Sequence, residues 1–231
     1  MNKRQEQLLN LVIEHHIATA EPVGSRFLVN KGGLDWSEAT VRNDLRALEE
    51  EGYLTHPHTS AGRLPTISGY RYYVDHLDLN GMKGGRRVEK VLGRAADEDE
   101  NGELNKKSVA KAMAELSGET LLVAYSRDVV YYTGLSNLFH KPEFAEWQLA
   151  ADVSEVFDHC EESLEDFFCQ VDDRPKYFIG DEHNFGTMLS VLAARFGEDN
   201  ESLVAMLGPL RMDYRRNWGI MTKALEMMFE E

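Results

Sequence analysis

The fold of this chain is decided by the stretch from Ser37 to Arg63, SEATVRNDLRALEEEGYLTHPHTSAGR. It opens with a serine that can cap a helix, continues with apolar residues at helical spacing, and reaches Gly52, which can end the helix. At about 100° per residue, Val41, Leu45 and Leu48 fall within about 60° of one another, which predicts one packed face. The stretch is therefore expected to begin with an amphipathic helix.

The other side of this predicted helix carries hydrogen-bond donors. Asn43 and Arg46 lie opposite the apolar stripe, and Thr40 and Arg42 flank them. The forked donors of asparagine and arginine match adenine and guanine edges in the major groove of DNA, and threonine can contact thymine. Taken alone, the same pattern also fits an ordinary solvated helix face, so its context decides between the two interpretations.

The context favours a DNA-binding fold. Helices are predicted over 4–19 and 24–30, followed by a glycine-containing turn that leads to Ser37, and this order is that of a tri-helical DNA-binding core. Ser25 and Arg26 open the second helix and are candidate phosphate contacts, because helix N-termini present free N–H groups. Ser37, at the start of the third helix, is included among the candidate DNA contacts.

A small wing is predicted after the third helix. Residues 53–56 and 63–64 are expected to be strands around a polar turn, and the candidate DNA contacts here are His58, Thr59, Ser60 and Arg63. Arg63 is expected to reach a phosphate or the minor groove. His56 and His58 could suggest a metal site, but no Cys or carboxylate cluster lies nearby in the sequence, so none is predicted.

Four segments of this region resemble the N-terminal domain of the heat-inducible transcription repressor HrcA family. They are Glu21–Arg26, Ala39–Asp44, Pro57–Thr66 and Gly69–Asp75. The long wing segment and the tyrosine-containing segment after it discriminate best, because a generic winged helix shares only the helices. The resemblance implies an inverted-repeat operator in front of chaperone operons, with control by heat and by a chaperonin.

The second half is similar to the GAF-like domain of the same family. The matching segments are Gly134–Phe139, Lys141–Phe144, Tyr177–Gly180 and Gly208–Tyr214. The family usually carries an inserted dimerisation subdomain between the strands that correspond to 121–125 and 129–132, whereas here only three residues join them. A homodimer is still expected, because a winged helix reads only a short half-site, but it would have to form without that insertion.

The predicted fold class is α+β, with an N-terminal winged helix-turn-helix and a GAF-like α/β sensor domain. The predicted boundaries are 1–78 for the winged helix with its linking helix, 79–106 for a hinge and acidic linker, and 107–231 for the regulatory domain. Within the last two segments, helices are predicted over 86–96, 108–117, much of 143–171 and 214–229, and strands over 120–125, 129–133, 176–179, 190–196 and 202–208.

Charge is divided unevenly along the chain. Residues 1–90 hold 12 Lys and Arg against 12 Asp and Glu, whereas residues 91–231 hold 13 against 28. An acidic chain is a poor general binder of polyanions, so the second half is expected to point away from phosphates. The prediction is modest nonspecific DNA affinity with a noticeable salt dependence.

The sequence indicates neither an enzyme nor a cofactor. Asp181, Glu182 and His183 form the one cluster of carboxylate and imidazole groups that could serve catalysis. No nucleophile lies at a spacing from them that would indicate an active site. No apolar run approaches the roughly 20 residues of a membrane span, so a cytoplasmic protein is expected.

The expected function is repression of heat-shock and chaperone genes by a dimer bound to double-stranded DNA and released on heat stress. The alternative is a winged-helix regulator controlled by a small effector bound to the C-terminal domain. A ligand screen that detects thermal stabilisation would discriminate them, because an effector must bind one state of the protein more tightly than the other.

Overall fold

The structure, a computed structural model, describes residues 1–31, 34–57, 62–79, 81–97, 102–126, 129–145, 157, 160–197 and 200–229. The chain forms two compact units, Met1–Leu77 and Asp78–Glu231. The predicted contacts His58, Thr59 and Ser60 lie outside the described residues. No helix in the described ranges is both long enough and apolar enough to cross a membrane.

The first unit contains the predicted three helices, hairpin and linking helix. Its elements are α1 (Lys3–Thr19), α2 (Ser25–Lys31), α3 (Glu38–Glu50), β1 (Leu54–Thr55), β2 (Leu64–Pro65) and α4 (Ile67–Asp75). The two strands pair antiparallel, with Leu54 opposite Pro65 and Thr55 opposite Leu64. The mixture of helix and sheet in the chain as a whole confirms the α+β class.

The core of the first unit is built from one apolar face of each helix. α1 contributes four fully buried residues, α3 contributes Val41, Leu45 and Leu48, and α4 contributes Tyr70 and Tyr73. The stripe that the sequence predicts on α3 is therefore the face that packs. The aromatic residues of α4 are buried within this unit, where the Tyr70 hydroxyl lies 2.5 Å from Nδ1 of His16 on α1.

The wing is fixed to the helical core through backbone hydrogen bonds. Val23 and Arg63 form a β-bridge, with N···O distances of 2.9 and 2.8 Å. Gly62 lies so close to this bridge that a Cβ at position 62 would stand 2.6 Å from the carbonyl carbon of Val23. Glycine is therefore required for the close approach of the two chain segments.

The described residues of the second unit form ten further helices and strands. They are α5 (Arg86–Asp97), α6 (Gly102–Ser117), β3 (Thr120–Ala124), β4 (Val130–Thr133), α7 (Leu135–Phe139), α8 (Cys160–Phe168), β5 (Lys176–Ile179), β6 (Leu189–Phe196), β7 (Ser202–Pro209) and α9 (Tyr214–Phe229). Short 3₁₀ turns lie at Pro142–Phe144 and Gly180–Glu182. α7 is absent from the sequence expectation, and part of the helix predicted over 143–171 lies outside the described residues.

A five-stranded antiparallel sheet forms the centre of this unit, in the order β4-β3-β7-β6-β5. β3 and β7 are buried along their whole length, which requires cover on both faces of the sheet. α7, the first 3₁₀ turn and α8 pack against one face through residues such as Leu138, Phe144 and Phe167. α6 and α9 contact the sheet as well and complete the second layer.

The segment predicted as a linker contains part of the second unit instead. α5 packs against α6 and α9, and Leu92 is fully buried. α6 begins at Gly102, six residues before the predicted helix. The sequence suggested a hinge because Gly84, Gly85 and the acidic residues around 97–103 are typical of solvated linkers, but α5 between them is amphipathic and buries one side.

Candidate nucleic-acid interface

α3 is held rigidly at its start and on its inner face. The Ser37 hydroxyl accepts a hydrogen bond from the backbone N–H of Thr40 at 3.1 Å, which caps the helix. Asp44 is only 6% exposed and accepts two hydrogen bonds from Arg4 on α1, at 2.5 and 3.1 Å. This bidentate pair fixes the rotation of α3 against α1, and so fixes which of its side chains face outward.

The predicted donor face of α3 is exposed. Ala39, Arg42, Asn43 and Arg46 are all solvent-accessible, and Thr40 is partly so. Arg42 pairs with Glu38 and Arg46 pairs with Glu50, each one helical turn away, while their side chains stay 69% and 75% exposed. Such surface pairs contribute only about 0.3–0.5 kcal/mol, so both arginines can exchange them for stronger contacts to a nucleic acid.

The residues predicted at the start of α2 lie at the surface beside α3. Arg26 is exposed, and Ser25 is partly buried, with its hydroxyl 3.3 Å from Glu38. Ser25 therefore links α2 to α3, and Ser37 caps α3, in addition to any contact with phosphate. The DNA contacts of Ser25, Arg26 and Ser37 stay predictions.

Arg63, which is predicted to reach a phosphate or the minor groove, is paired with an acidic residue in the structure. It is 23% exposed, and its guanidinium lies 2.8 Å from Glu49 near the end of α3. The other oxygen of the same carboxylate contacts Nδ1 of His56. Sequence reasoning missed Glu49 because it lies 14 positions from Arg63. The two side chains come together only through the hairpin, which places Arg63 beside the end of α3.

Replacing Glu49 with glutamine is expected to strengthen DNA binding. The amide can still accept a hydrogen bond from Arg63, while the negative charge that neutralises this guanidinium is removed. If Arg63 then neutralises one more phosphate, the slope of log K against log salt becomes steeper by about 0.9. Duplex titrations at several salt concentrations measure this, and an unchanged or shallower slope would contradict a phosphate role for Arg63.

The cluster at residues 181–183 has a structural role. His183 is 5% exposed, Nδ1 accepts a hydrogen bond from the backbone N–H of Phe185, and Nε2 donates to the carbonyl of Leu189, both at 3.1 Å. Burial lowers the pKa of His183, which favours this neutral form. Glu182 accepts a hydrogen bond from the backbone N–H of Ile179 at 2.9 Å. No group of three or more potential metal ligands occurs in the described ranges.

A buried charged group that sequence reasoning missed lies in the second unit. Glu119, just before β3, is 2% exposed, and Lys141 lies 3.3 Å from its carboxylate. Gly208 packs directly on this carboxylate, since a Cβ there would stand 2.4 Å from Oε2. Burial raises the pKa of Glu119 to about 7, while the nearby charges of Lys141 and Arg211 oppose that rise. A glutamate before an apolar strand gives no sequence signal of such burial.

The DNA-binding arrangement of helices and wing in the first unit and the fold of the second unit agree with comparisons against known proteins. A family model described as the HrcA protein C terminal domain matches residues 79–217, which is more than half of the chain. This chain belongs to the HrcA family. A model described as a DeoR-like helix-turn-helix domain matches residues 4–65, which include α1, α2, α3 and the wing strands. The family resemblance seen in the sequence is thus confirmed in both units.

Curated relatives carry the name heat-inducible transcription repressor HrcA. The relative from Cyanothece sp. is 45% identical over 124 residues, which are 53% of this chain and 34% of the relative. The relative from Desulforudis audaxviator is 27% identical over an alignment of 340 positions that covers 100% of this chain and 98% of the relative. This chain has 231 residues, so more than 100 positions of that relative lie opposite gaps.

β3 and β4 follow each other closely along the chain. The two strands are hydrogen-bonded neighbours, and Ala124 lies opposite Val130 in the ladder. The relatives from Cyanothece sp. and Nocardioides sp. match over only about a third of their own length. A solved structure titled as a hypothetical protein at 2.2 Å resolution has 18% identity and a TM-score of 0.84 over 100% of this chain and 98% of its own, and so shares the fold.

Proposed function

We propose that this protein is a sequence-specific, DNA-binding transcriptional repressor of heat-shock and chaperone genes. The observation that carries the proposal is the exposed face of α3, which presents Asn43 and Arg46 outward from a helix fixed on its other side by buried apolar residues and by Asp44. Relatives named as heat-inducible repressors support the same role.

The proposed binding form is a homodimer on an inverted-repeat operator. One winged helix contacts only a short half-site, and two half-sites are needed for useful discrimination against the excess of other DNA. The proposed release on heating requires that the operator-binding form be only marginally stable, so that a modest rise in temperature depopulates it. A chaperonin that binds the released form would shift this balance further.

The proposal is tested by transcription in vitro from a chaperone-gene promoter of the source organism, combined with footprinting. The expected result is a protected inverted repeat and a loss of transcript at moderate temperature, both reversed on heating. Equal protection of the promoter and of a scrambled duplex of the same length would contradict the proposal.

Control by an effector is the second candidate function. A surface cleft of about 560 Å³ in the second unit is lined by Val171, Asp172, Asp173, Arg174, Arg195 and Asn200. Its volume falls in the range of ligand sites, but most ligand sites are lined by apolar and aromatic side chains, and this lining is polar. A metabolite that stabilises the full chain against heat and weakens operator binding would support this candidate.

A further inference from the structure

The solvent-facing side of α5 is strongly basic. Arg86, Arg87, Lys90 and Arg94 are all exposed, and at about 100° per residue they fall within an arc of about 100°. Leu92 and the other buried residue of this helix lie on the opposite side, which packs against α6 and α9. These four cations are called the basic stripe below.

The basic stripe is a local patch of positive charge on a unit that is acidic overall. Residues 78–231 contain 17 Lys and Arg against 30 Asp and Glu, whereas the twelve residues from Lys83 to Arg94 contain five cations and a single acid, Glu89. A cluster of one sign on a background of the other creates a local potential that attracts a partner of opposite charge.

The arrangement within the basic stripe is unfavourable for the helix itself. Arg86, Lys90 and Arg94 follow one another at intervals of four residues, where like charges repel and destabilise a helix. On α3, by contrast, Arg42 and Arg46 each have a glutamate one turn away. Within the part of the chain that the structure describes, no acidic side chain forms a salt bridge with a cation of the basic stripe.

We infer that the basic stripe binds the phosphate backbone of duplex DNA that flanks the operator. This inference rests on the proposed function. Three cations of the stripe recur about every 6 Å along the helix, which gives a continuous line of positive charge of the kind that a phosphate backbone attracts. Only eight residues separate Leu77, the end of the first unit, from Arg86, so DNA bound by α3 is presented to the stripe at high effective concentration.

The experiment compares two full-length triple variants that lose the same charge. The test variant carries Arg87→Gln, Lys90→Gln and Arg94→Gln on α5. The control carries Lys111→Gln, Lys176→Gln and Arg215→Gln, three other exposed cations of the same unit. Binding is measured at several salt concentrations on two duplexes, one limited to the footprinted inverted repeat and one extended by about ten base pairs on each side. Circular dichroism checks that both variants are folded.

The expected result is a shallower salt slope for the test variant on the extended duplex, by about 0.9 for each lost phosphate contact and so by about 2–3 for each protomer of the bound dimer. The short duplex and the control variant should show the wild-type slope. Equal slopes for test variant and wild type on the extended duplex overturn the inference, as would be found if the stripe bound an acidic protein. An equal loss on both duplexes also overturns it, because the contact would then lie inside the operator.

Failure of the proposed function can be distinguished from failure of this inference. If the wild type does not prefer the operator over a scrambled duplex, the repressor proposal fails. The salt slopes of the test and control variants on an extended scrambled duplex still decide whether the basic stripe binds phosphates, because that contribution does not depend on base sequence.

Discussion

Alanine in place of Arg46 is expected to weaken operator binding by about 1–3 kcal/mol, and alanine in place of Asn43 by a similar amount. Both side chains are exposed on the outer face of α3, and each can make a bidentate contact with a base edge. The surface ion pair of Arg46 with Glu50 competes only weakly with a contact from Arg46 to a base. Titration of an operator duplex with each variant, at one fixed salt concentration, gives the ratio of dissociation constants.

A matched control separates base recognition from general charge effects. Arg215→Ala removes an exposed arginine from α9 and should leave operator affinity within about a factor of two of the wild type, since it belongs neither to the outer face of α3 nor to the basic stripe. On a scrambled duplex, Asn43→Ala should change affinity little, because asparagine contributes no charge. Operator binding that is indifferent to both α3 substitutions would contradict the assigned interface.

Glu119 is expected to contribute a loss of stability to the second unit as pH rises from about 4.5 to 7. Burial raises the pKa of this carboxyl to about 7 in the folded state, so the unfolded chain loses its proton at lower pH than the folded one. Over that window the contribution is on the order of 3 kcal/mol, and it does not change further above pH 7. Glu119→Gln should remove this dependence and make the protein more stable at pH 8. Urea unfolding followed by circular dichroism between pH 4.5 and 8 measures the effect.

The control for this prediction takes account of the charged groups around Glu119. Lys141 lies 3.3 Å away, and Arg211, which is paired with Glu143, is the next charge in the cluster. His183, whose pKa burial lowers, contributes to the pH dependence with the opposite sign, so the difference between Glu119→Gln and wild type isolates the contribution of Glu119. Glu115→Gln, an exposed neighbour on α6, should unfold in parallel with the wild type at every pH. Parallel curves for Glu119→Gln and wild type would rule out the assigned role.

Local sequence signals were sufficient for the elements that carry the interface. α3 was predictable because Ser37, the apolar spacing and Gly52 all indicate the same helix, and its outward face follows from that spacing alone. α9 spans the residues predicted for it, and the helix predicted over 86–96 was found over Arg86–Asp97. These are long, periodic segments, for which pattern and structure agree most often.

Contacts between distant residues could not be obtained in this way. The interaction of Arg63 with Glu49, of Ser25 with Glu38, and of Glu119 with Lys141 depends on how turns and strands bring separate segments together. The sequence around α5 is dominated by charged residues and glycine, which predict a linker. The few apolar residues through which α5 packs give a weaker signal. In each case the missing information is tertiary packing, which local propensity does not contain.

The division of roles between the two units follows from these observations. The first unit carries 8 Lys and Arg against 10 Asp and Glu and has an exposed donor face, and the second unit is strongly acidic except for the basic stripe on α5. DNA binding by such a protein is expected to depend on the location of a few cations and to be nearly independent of net charge. Binding to a polyanion is then compatible with the formal charge of -15 that the chain carries.

The central claim is that the outer face of α3 lies in the major groove of duplex DNA. The most direct measurement is a structure of the full chain bound to its footprinted operator. The account predicts hydrogen bonds of about 2.7–3.2 Å from Asn43 and Arg46 to base edges, with the wing against the adjacent backbone. A complex in which α3 faces solvent, or in which DNA is bound by another surface alone, would contradict it.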